Sequence, residues 1–318
     1  MVPGGGNQGK RFVRLALIAA MLALLSGMMS SLESDAALTC DIADISAAIA
    51  AANNNPSEPT ALSLTLGCFY TFDGPDVFTN SDDSVSALPE LAGHLIITGN
   101  GATINRADGA PAARIFSIGT GGNLELDGVS IMGGDSQLGA GILNRGGTLK
   151  ITSSYVENNS ASGGLGGGIV STGTAVIRSS TIRGNSATLG GGVANLGGDM
   201  TLDASTITAN SSDFGPAGIY NLASDSSTAT LTLVNSTIAA NGSGTAGIGV
   251  LNYGSTVNGY NVTIALNPGG GINNQGGTAE APAVTTLWNT IVAENGTTDC
   301  DISQTRSGGI VDASHNLD

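Results

Sequence analysis

Residues 174–185 read TAVIRSSTIRGN, residues 199–210 read DMTLDASTITAN, and residues 230–241 read TLTLVNSTIAAN. In each segment two apolar residues stand two positions apart, and a further aliphatic residue follows five positions later. The same pattern recurs on both sides of these segments. We align its later aliphatic position at Ile131, Val156, Ile182, Ile207, Ile238, Ile264 and Ile291. Successive members are 25 to 31 residues apart, and a period of this length is typical of a solenoid.

A glycine-rich signature alternates with the first pattern. It reads GAGILNRGG from residue 139, GGGIVSTGT from 166, GGGVANLGG from 190 and GGGINNQGG from 269. Short alternating runs between Gly and Asn predict strands and turns, and so many glycines and β-branched residues oppose helical repeats. The chain is therefore predicted to be all-β, a parallel β-helix with three strands per coil and a repeat of about 25 residues.

Two polar columns accompany the repeat. Asparagines stand three residues after the aligned aliphatic position, at Asn159, Asn185, Asn210, Asn241 and Asn267. We interpret them as a hydrogen-bonded ladder between coils, with a row of ligand-binding amides as the alternative. Threonines precede the aliphatic position at Thr181, Thr206, Thr237, Thr263 and Thr290. We interpret these as cross-coil contacts, with ice binding as the alternative.

The GGGI, GGGV and IxxN elements are similar to the GGAI and FxxN repeats of chlamydial polymorphic outer-membrane proteins. Over residues 38–300 the chain resembles a right-handed parallel β-helix of the pectin-lyase-like class. The segment from Cys40 to Asn53 resembles the start of many secreted bacterial β-helix proteins that are anchored at the cell surface. The resemblance implies an extracellular, cell-surface or outer-membrane location, and folds of this class often host polysaccharide lyases and hydrolases.

The N-terminus predicts export. Lys10, Arg11 and Arg14 precede an apolar run at residues 15–25, and small residues follow near Ala36. This is typical of a signal peptide over residues 1–36, with an uncleaved membrane anchor as the alternative. No later segment is apolar enough for a transmembrane helix.

Export permits disulfides, so we predict a bridge between Cys40 and Cys68, with lipid modification of Cys40 as the alternative. Cys300 is left over, and its partner is expected beyond the end of the chain. Because no closing element precedes Asp318, we expect the chain to be a fragment.

Three segments follow the predicted signal peptide. Residues 37–90 form an N-terminal cap and first coil with an acidic insertion, residues 91–296 form the β-helix, and residues 297–318 form a C-terminal segment. A short helix is predicted to cover the first coil, with Asp44 as its N-cap. Three of its apolar residues share one face: Ile42, Ile45 and Ile49. The first strand is predicted to point alternate leucines inward: Leu62, Leu64 and Leu66.

Composition excludes one class of partner. The chain has a formal charge of -15, with 10 Lys and Arg against 25 Asp and Glu. Nucleic-acid binding needs cations to neutralise phosphates, so no nucleic-acid partner is expected.

Catalytic residues are hard to find in the repeat. One outward column reads Asp127, Thr152, Arg178, Asp203, Val234, Tyr260 and Leu287. A lyase would need a base with carboxylates that gather calcium, so Arg178, Asp203 and Asp127 are weak candidates. The favoured interpretation is an ion pair between strands, as for Glu125 and Lys150. Asp127 and Asp203 are three coils apart, too far for the paired carboxylates of an inverting glycosidase.

The acidic insertion offers a weak metal site. Asp73, Asp76, Asp82 and Asp83 lie within residues 73–90. Clustered carboxylates suit calcium, although a solvated loop explains them equally simply. No other cofactor is expected.

These features together predict an exported, non-catalytic β-helix that acts at the cell surface or outside the cell. It would be an adhesin-like or carbohydrate-contacting module, with a polysaccharide or the surface of a host or neighbouring cell as partner. Loops at residues 223–229 and 277–283 are the expected contact regions. The alternatives are a polysaccharide lyase or hydrolase and a structural protein of the cell envelope.

Overall fold

The computed structural model describes residues 40–82, 84–224, 227–242, 246–276, 282–296, 298–303 and 309–314. The predicted signal peptide lies outside these ranges. Within them the chain forms one helix, α1 (Ile42–Asn54), followed by thirty strands. The strands are, in chain order, β1 (Thr60–Ser63), β2 (Phe69–Phe72), β3 (Phe78–Thr79), β4 (Val85–Ser86), β5 (His94–Arg106), β6 (Phe116–Ile118), β7 (Asn123–Met132), β8 (Ile142–Asn144), β9 (Thr148–Thr152), β10 (Tyr155–Glu157), β11 (Ser160–Leu165), β12 (Ile169–Ser171), β13 (Thr174–Arg178), β14 (Thr181–Arg183), β15 (Ser186–Leu189), β16 (Val193–Leu196), β17 (Asp199–Asp203), β18 (Thr206–Thr208), β19 (Ser211–Ser212), β20 (Pro216–Leu222), β21 (Thr230–Val234), β22 (Thr237–Ala239), β23 (Ile248–Tyr253), β24 (Thr256–Tyr260), β25 (Thr263–Ala265), β26 (Gly270–Gln275), β27 (Val284–Trp288), β28 (Ile291–Ala293), β29 (Cys300–Ser303) and β30 (Gly309–Ser314).

The strands stack into the three faces of a parallel solenoid. The first and second faces belong to one 17-stranded sheet, because β5 and β7 continue from one face to the other. The third face is an 8-stranded sheet in the order β6, β8, β12, β16, β20, β23, β26, β29. A small sheet of β11, β15 and β19 lies between the second and third faces along the chain. The predicted all-β parallel solenoid is confirmed, with turns of about 26 residues.

The predicted aliphatic columns line the interior. Ile182, Ile207 and Ile238 pair in register on β14, β18 and β22, and each is at most 1% exposed. The third face adds a buried column of its own: Ile142, Ile169, Val193, Ile219, Val250 and Ile272. A buried aliphatic side chain stabilises the fold by roughly 1.5–3 kcal/mol. Stacked columns therefore hold this narrow core together with few aromatic residues.

The alignment of the last repeat is wrong by one residue. Ile264 pairs with Val292 and not with Ile291. Val292 is 2% exposed, whereas Ile291 is 42% exposed. Adjacent aliphatic residues fit nearly the same spacing, and only the pairing of β25 with β28 distinguishes them.

The same shift corrects two other columns. Tyr260 pairs with Trp288, so Trp288 faces outward and Leu287 is buried. Thr263 pairs with Ile291, so Thr290 leaves the threonine column. It is buried instead.

The asparagine column forms the predicted ladder inside the solenoid. The side-chain amide of Asn185 donates to Oδ1 of Asn210 at 3.0 Å, and that of Asn159 donates to Asn185 at 3.0 Å. The ladder continues through Asn295, which the alignment omitted, and ends at Oδ1 of Asp299. A second buried ladder joins the third face and was not predicted: Asn195, Asn221, Asn252 and Asn274.

Helix α1 covers the first coil, as predicted, and buries Ile45, Ile49 and Ala52. Its N-cap is Asp41 and not Asp44, because the Asp41 carboxylate accepts from the backbone N–H of Ala43 at 2.9 Å. An aspartate one turn earlier reaches the unsatisfied N–H groups, whereas Asp44 is already inside the helix.

The N-terminal segment is tied to the first coil by the predicted Cys40–Cys68 disulfide. The strand that leads to Cys68 is shorter than expected. Leu64 is buried, but Leu66 is 81% exposed because β1 ends at Ser63 and the chain turns. The inward prediction for Leu66 is therefore wrong.

Cys300 lies in β29, pairs with Ile272 and packs against the core. Within the described ranges no helix combines the length and the hydropathy of a membrane span.

Candidate functional site

The predicted catalytic candidates on the first face do not converge. Arg178 Nε lies 3.5 Å from Asp203 Oδ2 across neighbouring strands, and both side chains are more than a third exposed. Asp127 is three strands away from Asp203, with Thr152 and Arg178 between them. The pair therefore has the geometry of an exposed cross-strand ion pair.

The four aspartates proposed for calcium also have different surroundings. Asp73 and Asp76 are exposed, Asp82 contacts Arg145, and Asp83 lies outside the described residues. In the described part of the chain no three His, Cys, Asp or Glu side chains form a group suited to a metal ion. Calcium binding stays a prediction.

The acidic insertion nevertheless contributes to the most developed cavity. Strands β3 and β4 form an antiparallel hairpin, and the chain then joins the third face where Ser86 pairs with Arg114. The cavity has a volume of about 370 Å³. It is lined by residues from the insertion and from two later coils: Asp82, Ser84, Val85, Ala112, Arg114, Asp135, Ser136, Gln137 and Leu138.

Arg114 is the central cation of this cavity. Its side chain is buried and donates hydrogen bonds to the hydroxyls of Ser84 and Ser136 and to the carbonyl oxygen of Leu138. All three acceptors are neutral. Burial lowers the pKa of the guanidinium to about 10, and the charge of Asp82 partly opposes this shift.

Arg114 differs from the other cations. The described residues include six Lys and Arg side chains: Arg106, Arg114, Arg145, Lys150, Arg178 and Arg183. Five of them contact a carboxylate within 4.0 Å. Among the described residues, no carboxylate lies this close to Arg114. A buried cation without an adjacent anion is costly unless other groups solvate it.

Two further arginines frame the cavity. Arg145 contacts Asp82 at 2.9 Å and Glu90 at 2.6 Å, and Arg106 contacts Asp135 at 3.2 Å. Burial by itself would raise the pKa of Glu90 and of Asp82. Hydrogen bonds from serines and the charge of Arg145 outweigh it and lower both pKa values. Both carboxylates are therefore ionised at neutral pH.

Sequence reasoning did not find this site. Asp82 was singled out only as a metal ligand, and Arg114, Ser136 and Gln137 belong to no motif. One signal was available, because half of the six described cations lie in residues 106–145, beside the acidic insertion. The predicted contact loops stay predictions, since residues 225–226 and 277–281 are outside the described ranges.

The arrangement can bind a polar ligand. Arg114, Ser136 and Gln137 offer hydrogen-bond donors, while Asp82 and Asp135 offer acceptors. The chain matches no family model, no curated protein and no solved structure.

Proposed function

We propose that this protein is an exported, non-catalytic β-helix that acts at the cell surface or outside the cell as a carbohydrate-contacting, adhesin-like module. The observation that carries this proposal is the cavity around Arg114. Donors and acceptors alternate within it, and sugars present both kinds of group. Solenoids commonly bind elongated partners along exposed surfaces, and a parallel β-solenoid is compatible with this role.

Charge distribution supports the assignment of the cavity. The chain is strongly acidic, with a formal charge of -15. Cations are scarce, yet Arg106, Arg114 and Arg145 gather around one cavity. An acidic protein surface repels polyanions, so this cavity is the most favourable place for a carbohydrate that carries negative charge.

Export is supported by two features of the sequence and structure. The N-terminal cations and the apolar run at residues 15–25 are typical of a signal peptide. The Cys40–Cys68 disulfide suits an oxidising compartment.

Binding and turnover are tested together. The purified protein is run by affinity electrophoresis through gels that contain neutral or acidic polysaccharides, with and without calcium. Retardation by at least one polysaccharide is expected. The same mixtures are assayed for unsaturated products by absorbance and for new reducing ends.

The outcomes separate the three functions. Retardation without turnover supports the binding module. Turnover that Arg178→Ala abolishes would assign a polysaccharide lyase or hydrolase instead. No retardation by any polysaccharide would overturn the proposal and favour a structural protein of the envelope.

A further inference from the structure

We propose that the cavity around Arg114 binds a single sugar-acid residue, with the sugar carboxylate against Arg114 and the sugar hydroxyls against Asp82 and Asp135. This inference rests on the proposed carbohydrate-contacting function and names its ligand class. It concerns a site at the acidic insertion, on the third face, and not the outward column of the first face.

The first argument is the charge of Arg114. A guanidinium has five N–H groups, and four hydrogen bonds to Leu138, Ser84 and Ser136 are present. One N–H of Nη1 remains for a ligand. A carboxylate forms stronger, charge-assisted hydrogen bonds with a guanidinium than neutral acceptors do. The ligand would supply the anion that this buried cation lacks.

Neighbouring donors point to the same group. The hydroxyl of Ser136 accepts from Arg114 at 3.2 Å, so its own proton can be donated to a ligand. Gln137 is exposed and lines the cavity, and its side-chain amide adds a further donor. Three neutral or cationic donors thus lie around one anion position.

The carboxylates in the lining decide which anion fits. Asp82 and Asp135 are each held by an arginine, and each carboxylate has about four acceptor positions. They can accept hydroxyl protons of a sugar. They would also repel a dianion such as a phosphate ester more strongly than a carboxylate. The site therefore favours a hydroxylated monoanion.

Cavity size limits the ligand. A volume of about 370 Å³ is near the lower end of the range for small-molecule sites, about 300–1,000 Å³. We therefore expect one sugar residue to enter, at the end of a glycan or on a side branch.

Saturation-transfer NMR with four probes tests the proposal: D-glucuronate, D-glucose, glucose 6-phosphate and acetate. We expect glucuronate to bind and each of the others to bind about tenfold more weakly, since each lacks the carboxylate, the single charge or the hydroxyls. Equal binding of glucose would overturn the carboxylate assignment. Equal binding of acetate would overturn the role of the sugar hydroxyls.

Variants locate the site. Arg114→Lys keeps the charge but loses the fork of donors, and Ser136→Ala and Gln137→Ala remove one donor each. Each is expected to weaken glucuronate binding, the first by about tenfold. Arg183→Gln, on the second face, is the matched control and should bind as the wild type does. Thermal unfolding verifies that each variant is folded, and Gln137→Ala carries the test if Arg114→Lys does not fold.

Two failures remain distinguishable. If polysaccharides retard the wild type and the cavity variants equally, the sugar-acid site is wrong and the carbohydrate-contacting function stands. If neither polysaccharides nor glucuronate bind, both proposals are wrong.

Discussion

The side-chain amide of Asn210 donates a hydrogen bond to Oδ1 of Asn241, 3.0 Å away on the next turn of the solenoid. Asn210 also accepts from the backbone N–H of Asn185 at 3.0 Å, and its Nδ2 donates to the carbonyl of Ile182 at 3.0 Å. All these groups are buried. One side chain therefore joins three successive turns and fixes their register.

Asn210→Ala tests the ladder. The substitution leaves buried donors and acceptors on both neighbouring turns unpaired, and each such group costs about 1–3 kcal/mol. We expect a loss of about 2–5 kcal/mol in the free energy of unfolding, measured by urea denaturation. The matched control is Asn261→Gly, which removes an exposed amide pair with Asn235 and keeps the left-handed turn. Equal losses in both variants would contradict a special role for the buried ladder.

Val292→Ala and Ile291→Ala test the register of the last repeat. Val292 is buried and Ile291 is largely exposed, although the two are adjacent. Val292→Ala should lower the free energy of unfolding by about 2 kcal/mol, and Ile291→Ala by about 0.5 kcal/mol. A larger loss for Ile291→Ala in chemical denaturation would restore the alignment that the backbone pairing has replaced.

Gly93→Ala tests how α1 is docked. A Cβ at this position would overlap the carbonyl oxygen of Ala52, a backbone atom near the end of α1. We expect α1 to be displaced and the thermal midpoint to fall, since overpacking costs about 1–3 kcal/mol or more. Gly74→Ala is the control, because a Cβ there meets only open space or a distant backbone nitrogen. Unchanged amide-exchange protection of α1 in Gly93→Ala would reject the close contact.

Removal of the disulfide tests the constraint on the N-terminus. Cys40 and Cys68 close a loop with a sequence separation of 28. On the loop-entropy model such a bridge stabilises a fold by about 3.5 kcal/mol. The Cys40→Ser, Cys68→Ser double variant should lose about this amount, and a reducing agent should destabilise the wild type but not the variant. If reduction affects both proteins alike, the stabilisation has another source.

Acid should loosen the acidic insertion. The ordinary pKa values are 4.5 for Glu90 and 3.8 for Asp82, and both are lowered in the folded protein. Carboxylates with lowered pKa values stabilise the fold fully above their ordinary values, and this stabilisation is lost as the pH falls through the folded-state values. Amide exchange at Ser81, whose N–H donates to Glu90 at 2.7 Å, should lose protection below about pH 4.

Arg145→Met is the comparison for this acid effect. It removes the cation that holds Glu90 and Asp82. The variant should start with less protection at Ser81 and should lose less on acidification. The same pH dependence in variant and wild type would show that these ion pairs do not hold the insertion.

The repeat was predictable because its physical basis is local. Ile182 and Ile207 occupy equivalent positions 25 residues apart, and a period-2 strand with one aliphatic face can bury them only by stacking. Asn185 and Asn210 follow the same period, so their ladder was predictable as well. The one-residue error at Ile291 arose where two aliphatic residues are adjacent, since hydrophobicity does not rank them.

The candidate site depended on contacts that have no period. Arg114 meets Ser84 across 30 residues and Ser136 across 22 residues, and none of these positions recurs in the other coils. Arg145 reaches Glu90 across 55 residues. These pairings depend on where the hairpin of β3 and β4 packs.

Periodicity alone thus determined the fold class, the aliphatic columns, the main asparagine ladder and the covering helix, because stacked turns repeat one set of local interactions. Packing in three dimensions decided the N-cap at Asp41, the register at Val292 and the cavity at Arg114. Each of these depends on a single contact that occurs once in the molecule, and a unique contact leaves no pattern in the order of the residues.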